Sequence, residues 1–476
     1  MQQPQAQPAE KFSEKFTDHA VNGVNLTEQT ADFVAAHRTE DVRQLALKAK
    51  RVEGLDLPLA LDQIAGWQIA CKKLPQWASC EGIIYPPHIS MEQCSSQFTA
   101  QYKSEIAQTL LTPAVTVRAR MSDSAESDNQ TTKSEPQLSD SGESDTQETK
   151  TGVRVTDSPE SDTLVARSSM VDLTGGFGVD FSYLARGFSQ ATYVERQRHL
   201  CDLAEHNMAA LGLDQARIVC DDGVEYLRQM DPVDFIYLDP ARRDEHGSRT
   251  YAIEDCTPNV LELRDLLLAK SQCTLVKLSP MLDWRKAVAD FDGTVREVHI
   301  VATGNECKEL LLVLSQQVHE EPSAPRVFCV NDNQRIDYDS AAYTQGLRIG
   351  GKPLPETKNY LYEPNASIMK AGCFDLVEER FGVTQVGPSS HLFVSATPVA
   401  DFPGRGFAIE AIGGMNKKDI KRLLNGTKQA NIAVRNFPLT APQLRKKLKL
   451  ADGGPVYLFG TTMQGCDHVL LRTSKI

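Results

Sequence analysis

The sequence predicts an α/β protein with an open sheet of about seven strands, preceded by a helical domain and followed by α+β modules. Two observations lead to this prediction. Between residues 165 and 318, short apolar runs alternate with amphipathic stretches, and acidic residues follow several of the runs. One run continues directly into a glycine-rich turn, which is typical of a strand, a ligand loop and a helix in succession.

The glycine-rich turn lies in residues 170–180, Met-Val-Asp-Leu-Thr-Gly-Gly-Phe-Gly-Val-Asp. The apolar strand stops at Thr174, and Gly175, Gly176 and Gly178 follow. Glycine permits positive φ and lets a ligand lie against the backbone. The helix that begins near residue 179 offers unpaired N–H groups to a polar ligand. The alternative is an ordinary strand-to-helix turn with spare glycines.

A second apolar run, residues 191–194, ends in Glu195, about 20 residues after the glycines. In doubly wound folds an acidic residue at this place binds a ribose diol. The dinucleotide fingerprint, however, requires a third glycine where this chain has Phe181. The charge of Asp172 would also repel a pyrophosphate, whereas it suits the ammonium group of S-adenosylmethionine. A methyl donor is therefore favoured over a nicotinamide cofactor.

Two further apolar runs, residues 216–220 and 233–238, are also followed by acids. A carboxylate after the third strand can accept a hydrogen bond from an adenine amino group, while the N–H of Gly223 reaches a ring nitrogen. Ligands of open α/β sheets bind at the carboxyl ends of strands. The four acids that we expect at these ends are Asp172, Glu195, Asp222 and Asp239.

This series of motifs resembles the class I S-adenosylmethionine-dependent methyltransferases. The likeness covers roughly residues 165–314: the Asp-x-Thr-Gly-Gly-x-Gly loop, the acids after strands two and three, and Asp-Pro after strand four. It implies a Rossmann-like seven-stranded methyltransferase sheet and S-adenosyl-L-methionine as cofactor. The residues implied to bind the cofactor are Asp172, Thr174, Gly175, Gly176, Gly178, Glu195, Asp222 and Gly223. Among them, Asp172 and the glycines would hold the methionine part, Glu195 the ribose and Asp222 the adenine.

The methyl acceptor is indicated by the end of strand four. Methyltransferases acting on exocyclic amines often have Asn/Asp-Pro-Pro-Tyr/Phe there, and the acid and a Pro carbonyl bind the amine. This chain keeps Asp239 and Pro240, whereas Ala241 and Arg242 replace the second Pro and the aromatic residue. A guanidinium plane can also stack on a base. We therefore expect Asp239, Pro240 and Arg242 to be the catalytic residues, with Asp239 orienting the acceptor nitrogen.

Methylation of a pyrimidine carbon would instead require a cysteine nucleophile near strand four. The nearest cysteines, Cys256 and Cys273, lie outside any Pro-Cys or Thr-Cys turn beside the motif. We interpret both as core or helix cysteines. Amine methylation is favoured.

At 476 residues the chain exceeds one domain. Residues 121–162 contain eleven acidic and three basic residues and few large apolar ones, so this segment should be disordered. The predicted divisions are a disordered tail (1–20), a helical N-terminal domain (21–118), a disordered acidic Ser-rich linker (119–164), the methyltransferase domain (165–318), an α+β, ferredoxin-like module (319–400) and a basic THUMP-like domain (401–476).

The last division is basic although the chain carries a net charge of −12. From residue 404 onward, thirteen Lys/Arg face four acids. Such a charge asymmetry is typical of a nucleic-acid-binding module, although a basic helix is often only a solvated face. The segments 413–419, 433–438 and 456–472 resemble the THUMP-like domain of a family of bacterial methyltransferases. Because THUMP modules occur in RNA-modifying enzymes, the resemblance implies RNA as a partner.

The composition excludes several other classes. No apolar run reaches the length of a membrane span, and the N-terminus lacks the basic and apolar regions of a signal peptide. The eleven cysteines are scattered without a Cys-x-x-Cys pair, which indicates reduced thiols, no zinc site and a cytoplasmic location. His199 and His206 lack a third ligand nearby, so we expect no metal.

The sequence therefore predicts a cytoplasmic S-adenosylmethionine-dependent methyltransferase that modifies a nucleotide in structured RNA, tRNA or rRNA. Two alternatives stay open. One is an RNA-binding or assembly factor that retains a cofactor pocket without turnover. The other is a methyltransferase that acts on a protein or a small molecule.

Overall fold

The structure is a computed structural model. It describes residues 27–48, 52–111, 168–241, 253–316, 324–342, 358–387, 389–465 and 468–476. The predicted tail (1–20), the predicted acidic linker (119–164) and Arg242 lie outside these ranges.

The described residues divide into two compact units. The first contains the residues up to Val171, together with Gly175–Tyr193 and Gln197–Val219. The second contains Asp172–Thr174, Val194–Arg196 and Cys220–Ile476. All four acids predicted at strand ends therefore belong to the second unit, whereas the glycine-rich turn belongs to the first.

The N-terminal part of the first unit is helical, as its spacing predicts. Its helices are α1 (Glu28–His37), α2 (Val42–Lys48), α3 (Leu57–Lys73), α4 (Pro75–Ser79), α5 (His88–Gln93) and α6 (Gln97–Leu111). The Asp56 carboxylate caps α3 by accepting a hydrogen bond from the N–H of Leu59 at 3.1 Å. Inside the unit, the buried Gln63 amide bonds both backbone groups of Tyr85, which ties α3 to the segment before α5.

The central sheet has nine strands in the described chain. They are β1 (Ser169–Asp172), β2 (Gln190–Glu195), β3 (Ala216–Cys220), β4 (Val233–Leu238), β5 (Ser271–Leu278), β6 (Val295–Thr303), β7 (Glu306–Ser315), β8 (Arg326–Asn331) and β9 (Gln334–Asp339). Their order is β3-β2-β1-β4-β5-β7-β6-β8-β9. The accompanying helices are α7 (Val179–Leu184), α8 (Arg198–Ala210), α9 (Gly223–Gln229), α10 (Val260–Lys270) and α11 (Trp284–Asp290). Strand β4 is parallel to β5, while β7 is antiparallel to both β5 and β6.

The sheet is larger than the seven strands predicted. Strand β8 pairs in parallel with β6, and β9 pairs antiparallel with β8. The apolar run of β8 lies within the range predicted for the α+β module (319–400), whereas the strand pairs with β6 of the central sheet. An apolar run indicates a strand, but it does not indicate which sheet the strand joins, because its partners are distant in sequence.

The C-terminal part of the second unit contains a separate sheet of seven strands. They are β10 (Tyr360–Pro364), β11 (Thr384–Gln385), β12 (Phe393–Ser395), β13 (Gly404–Gly414), β14 (Asn431–Arg435), β15 (Val456–Thr462) and β16 (His468–Lys475), in the order β11-β12-β10-β13-β16-β15-β14. Helices α12 (Ala366–Ala371), α13 (Phe374–Phe381), α14 (Lys417–Leu424) and α15 (Ala441–Leu448) accompany them. Because β13 pairs with β10 on one side and β16 on the other, the two C-terminal modules share one sheet.

Polar contacts join this second sheet to the β8–β9 edge of the central sheet. The Asn365 amide donates to Gln334 Oε1 at 2.9 Å, and the Gln334 amide donates to the carbonyl of Phe402 at 3.3 Å. The Arg285 guanidinium on α11 donates to the carbonyl of Ala371 at 2.9 Å. The additional strands thus provide the surface on which the C-terminal modules are held.

Candidate functional site

The end of β1 places a buried carboxylate beside a threonine. Asp172 is 1% exposed, and its Oδ1 accepts a hydrogen bond from the N–H of Thr174 at 2.9 Å. The Thr174 hydroxyl lies 3.4 Å from the same oxygen. These contacts fix the backbone turn at residues 172–174. Gly175, the first glycine of the loop, follows this turn directly.

Thr174 also joins the end of β1 to the end of β4. Its Oγ1 accepts a hydrogen bond from the N–H of Asp239 at 2.7 Å, and the N–H of Leu173 donates to the carbonyl of Tyr237 at 3.1 Å. Thr174 is predicted to bind the cofactor, and Asp239 is predicted to bind the methyl acceptor. The two residues are therefore in direct contact.

Asp239 belongs to a charged group that no sequence motif indicated. Its Oδ2 accepts a hydrogen bond from Lys277 Nζ on β5 at 2.6 Å. Lys277 Nζ also lies 4.0 Å from Glu309 Oε1 on β7. The side chains of Lys277 and Glu309 are only 11% and 5% exposed, whereas that of Asp239 is 34% exposed. Of the three, Asp239 is thus the group that a ligand can reach.

The ends of β2 and β3 are also adjacent. The N–H of Asp221 donates to the carbonyl of Glu195 at 3.2 Å. Asp222 is the N-cap of α9, since its Oδ1 accepts from the N–H groups of Val224 at 2.9 Å and Glu225 at 3.2 Å. One oxygen of the predicted adenine-binding carboxylate therefore stabilises a helix.

Gly223, the first residue of α9, is required by packing. A Cβ at this position would lie 2.2 Å from the carbonyl oxygen of Leu173, closer than atoms can approach. Any other residue would push α9 away from the turn that follows β1. The glycine therefore keeps the helix N-terminus and the Asp172–Thr174 turn together.

Within the first unit, the predicted loop glycines each have a backbone reason. Gly176 and Gly178 have φ of +54° and +78°, and Gly178 is the N-cap of α7. A Cβ on Gly175 would lie 2.3 Å from the ring of Tyr193. The Tyr193 hydroxyl donates to the carbonyl of Gly176. These contacts hold the loop in place, and within it Gly175 and Gly176 are half-buried and Gly178 is buried.

The N-terminal helices pack on the element that follows this loop. Trp77 Nε1 donates to Ser182 Oγ on α7 at 3.1 Å, and its ring lies 5.4 Å from that of Phe177 in the loop. Lys103 on α6 is fully buried and lies 3.0 Å from the carboxylate of Asp180. These contacts hold α4 and α6 against α7 and against Phe177 in the glycine loop.

Pro240 is buried, Ala241 forms a bridge with Thr257, and Arg242 lies outside the described residues. Cys256 and Cys273 are each 6% exposed. Burial raises the pKa of the Cys273 thiol, which disfavours the nucleophilic thiolate.

The two histidines on α8 have no metal-binding arrangement. His199 is exposed, and His206 Nε2 donates to the carbonyl of Gly82 at 2.7 Å. Among the described residues, no group of three or more His, Cys, Asp or Glu side chains could hold a metal ion. In the same ranges, no helix is long and apolar enough to cross a membrane.

In the basic C-terminal module, the arginine and lysine side chains have different surroundings. Its five arginines contact acidic side chains or backbone carbonyls, and they are Arg405, Arg422, Arg435, Arg445 and Arg472. Its eight lysines are all exposed, and they are Lys417, Lys418, Lys421, Lys428, Lys446, Lys447, Lys449 and Lys475. The five arginines are therefore engaged in pairs or hydrogen bonds, and the eight lysines supply most of the exposed positive charge of the module.

Comparison with known families identifies both C-terminal modules. Residues 360–403 match a family described as a ferredoxin-like domain, and residues 404–475 match a family described as THUMP domain-like. The predicted ferredoxin-like and THUMP-like character of these modules is confirmed. The first match begins at β10, after the strands that belong to the central sheet.

Almost the whole chain is similar to a solved structure of a candidate enzyme. It is a crystal structure of a candidate methyltransferase from Porphyromonas gingivalis W83, with 29% sequence identity and a TM-score of 0.72. The match covers 94% of this chain and 97% of that chain. The predicted α/β class with its large sheet and C-terminal sheet module is confirmed.

Two other solved structures match a smaller part. A SAM-dependent methyltransferase from Agrobacterium tumefaciens has 18% identity and a TM-score of 0.25, over 32% of this chain and 56% of that chain. An rRNA methylase from Streptococcus thermophilus has 15% identity and a TM-score of 0.24, over 32% and 88%. Neither score supports an argument. Among curated proteins, none shows significant similarity to this chain.

Lys277 and Glu309 carried one weak signal in the sequence. Lys277 interrupts an apolar run, Thr-Leu-Val-Lys-Leu, and Glu309 comes directly before another, Leu-Leu-Leu-Val-Leu. A charged residue in a buried strand is unusual unless it is paired. Nothing in the sequence indicates that the two residues meet each other and Asp239. Along the chain β6 lies between β5 and β7, whereas in the sheet β5 and β7 are direct neighbours.

Proposed function

We propose that this protein is an S-adenosylmethionine-dependent methyltransferase that modifies an amine nitrogen of a nucleotide in structured RNA. The observation that carries the proposal is the contact between Thr174, at the start of the donor loop, and Asp239, at the acceptor motif. A transferase must bring its two substrates to neighbouring groups, and these two residues are hydrogen-bonded. Similarity over almost the full length to a candidate methyltransferase supports the same reaction class.

The side chains suit the cofactor. Asp172 supplies a buried negative charge for the ammonium group of the methionine part, and Glu195 supplies two acceptor oxygens for a ribose diol. The glycines that follow Thr174 complete the proposed donor loop. The adenine amino group would use Oδ2 of Asp222, because Oδ1 caps α9. When bound, S-adenosylmethionine supplies an electrophilic methyl group with a built-in leaving group.

The protein's part in the reaction is then placement of the acceptor. The Asp239 carboxylate would accept a hydrogen bond from the amine N–H, which turns the nitrogen lone pair toward the donor and stabilises the positive charge that develops. The carbonyl of Pro240 would accept a second hydrogen bond, and Arg242 would stack on the base. Alignment of the reacting atoms provides most of the acceleration in such a reaction.

RNA is proposed as the substrate from the C-terminal module. Its eight exposed lysines form a surface suited to phosphates, and the domain is THUMP-like. The rRNA methylase among the similar structures has too low a score to add support. A cytoplasmic location is part of this proposal, and the absence of a disulfide among the ten described cysteines agrees with a reducing compartment.

Calorimetric titration with S-adenosylhomocysteine, with NAD as the control ligand, tests the cofactor. We expect micromolar binding of the first and no binding of the second. Glu195→Ala should weaken binding by about 1.5–3 kcal/mol, because a hydrogen bond to a charged group is lost. Glu205→Ala, which removes an exposed carboxylate from α8, is the matched control. Unchanged affinity in Glu195→Ala would contradict the proposed cofactor site.

Transfer of labelled methyl groups tests the substrate. We expect label in RNA extracted from cells that lack this protein, and little label in RNA from cells that contain it. Binding of S-adenosylhomocysteine and RNA without transfer would favour the assembly-factor alternative. Label recovered in protein or in small molecules would favour the other alternative.

A further inference from the structure

We propose that Lys277 is a positioning residue that sets the orientation of the Asp239 carboxylate toward the methyl acceptor. The inference rests on the proposed function, since it concerns the reaction assigned to Asp239. It adds a residue that no motif indicates and that lies on a different strand from the Asp-Pro motif.

The location of Lys277 is unusual for a lysine. It lies in β5 next to Val276 and Leu278, both of which are buried, and it is 11% exposed itself. Withdrawing an ammonium group from water is unfavourable unless anionic groups compensate for the lost hydration. Asp239 at 2.6 Å provides the close partner, and Glu309 at 4.0 Å provides a second negative charge.

The sheet register explains how the three groups meet. Lys277 pairs with Leu311 of the antiparallel strand β7. Glu309 is two residues from Leu311, so its side chain lies on the same face of the sheet as Lys277. On the other side, β5 is the neighbour of β4, whose end leads into Asp239. The ammonium group therefore bridges a fully buried carboxylate and a partly exposed one.

Asp239 is consequently held at two points. Its backbone N–H is held by the Thr174 hydroxyl at 2.7 Å, and its Oδ2 is held by Lys277 at 2.6 Å. The bond from Lys277 restricts the Asp239 side chain and engages Oδ2, which leaves Oδ1 to accept from the acceptor amine. Reactions that depend on alignment lose about 100-fold in rate when a positioning contact shifts by an ångström.

Removal of the ammonium group is expected to change the pH dependence of the reaction. It takes away the positive charge that lies 2.6 Å from the Asp239 carboxylate. A carboxyl group that loses a neighbouring positive charge takes up a proton more readily. In a variant without the ammonium group, the loss of activity on the acidic side should therefore begin at a higher pH.

The test compares Lys277→Met and Lys277→Arg with the control Lys308→Met. Methionine keeps the length and apolar volume of lysine without donors, and arginine keeps the charge. Lys308 lies next to Glu309 in sequence, but its side chain is exposed and pairs with Glu306. The measurements are affinity for S-adenosylhomocysteine, kcat and KM for RNA, and the pH–rate profile of each full-length variant.

We expect Lys277→Met to bind S-adenosylhomocysteine as the wild type does and to lose about 10- to 100-fold in kcat with little change in KM. The acidic limb of the pH–rate profile of this variant should move to higher pH. Lys277→Arg should recover part of kcat and return the acidic limb toward its original position, and Lys308→Met should match the wild type. Wild-type kcat and pH profile in Lys277→Met would overturn the inference while leaving the proposed function intact.

If Lys277→Met fails to fold, seen as lost S-adenosylhomocysteine binding, Lys277→Gln replaces it, since its amide keeps a hydrogen-bond donor without the charge. A shifted acidic limb in Lys277→Gln supports the role of Lys277, and an unshifted limb with wild-type kcat overturns it. If the wild-type protein itself transfers no methyl group, the proposed function fails and this inference fails with it.

Discussion

The hydroxyl of Thr174 accepts a hydrogen bond from the N–H of Asp239 at 2.7 Å, although 64 residues separate the two along the chain. One threonine therefore couples the turn that begins the proposed donor loop to the motif proposed to bind the acceptor. Together with the bond from the N–H of Leu173 to the carbonyl of Tyr237, this contact ties the end of β1 to the end of β4.

Thr174→Val should loosen that contact, because valine has the shape of threonine without the hydroxyl. The Asp239 N–H then loses its acceptor in a partly buried place, at a cost of about 1–3 kcal/mol. We expect faster amide hydrogen exchange in the peptide that contains Asp239, measured by mass spectrometry, and a lower kcat. Thr174→Ser keeps the hydroxyl and serves as the control. Equal exchange in the valine and wild-type proteins would show that the hydrogen bond has no influence on this segment.

Glu363→Gln should destabilise the shared C-terminal sheet. Glu363 is 3% exposed, and its two oxygens accept from Arg405 on β13 and Arg435 on β14. Both arginines are about two-fifths exposed, so solvent weakens the two ion pairs that they form with Glu363. We therefore expect the free energy of unfolding to fall by about 1–3 kcal/mol. Urea denaturation measures it. Glu306→Gln, which breaks an exposed pair with Lys308, should change the value by less than about 0.5 kcal/mol.

Charge reversal on α15 and its C-cap tests the proposed RNA surface. Replacing Lys446, Lys447 and Lys449 by Glu should weaken RNA binding and reduce the dependence of affinity on salt. Each lost phosphate contact lowers the slope of log K against log salt by about 0.7 on single strands. Filter binding at several salt concentrations measures it. The same reversal of Lys72, Lys286 and Lys308, outside the basic module, is the control. An equal loss of RNA affinity in both triple variants would mean that RNA binding depends only on the net charge of the protein and not on these three lysines.

Stability should fall as the pH falls below the ordinary pKa of histidine. His299 is 3% exposed and stacks on Phe328, and its burial lowers its pKa although Glu297 opposes the shift. The unfolded chain then binds a proton at about pH 6.5 that the folded chain takes up only at lower pH. Stability is therefore full above about pH 6.5 and declines below it, by at most about 1.4 kcal/mol per pH unit for this group.

His299→Gln should reduce this decline, measured by urea denaturation between pH 7 and pH 5. His199→Gln is the matched control, because His199 is exposed on α8. If the two variants show the same pH dependence as the wild type, His299 makes no contribution to acid sensitivity.

The individual elements of the fold were predictable because their signals are local. The strand before Thr174, the positive-φ glycines after it and the strand that leads to Asp239 follow from apolar runs and glycine chemistry in adjacent residues. The helical spacing before residue 111 likewise predicted helices that the structure contains. The acid after β3 was predicted as a ligand for adenine, and the structure adds that it caps α9.

What the sequence by itself determined, therefore, is the succession of strands, turns and helices and the positions of the acids at their ends, since each depends on neighbouring residues. The tertiary structure decided which strands are partners: it placed β8 and β9 in the central sheet, joined the two C-terminal modules through β13, and brought Lys277 and Glu309 to Asp239. The physical reason is that strand pairing and the pairing of buried charges depend on contacts between residues far apart in the chain. An apolar strand with a single charged residue could pair with many different strands. Only the assembled sheet shows which strand and which opposite charge it meets.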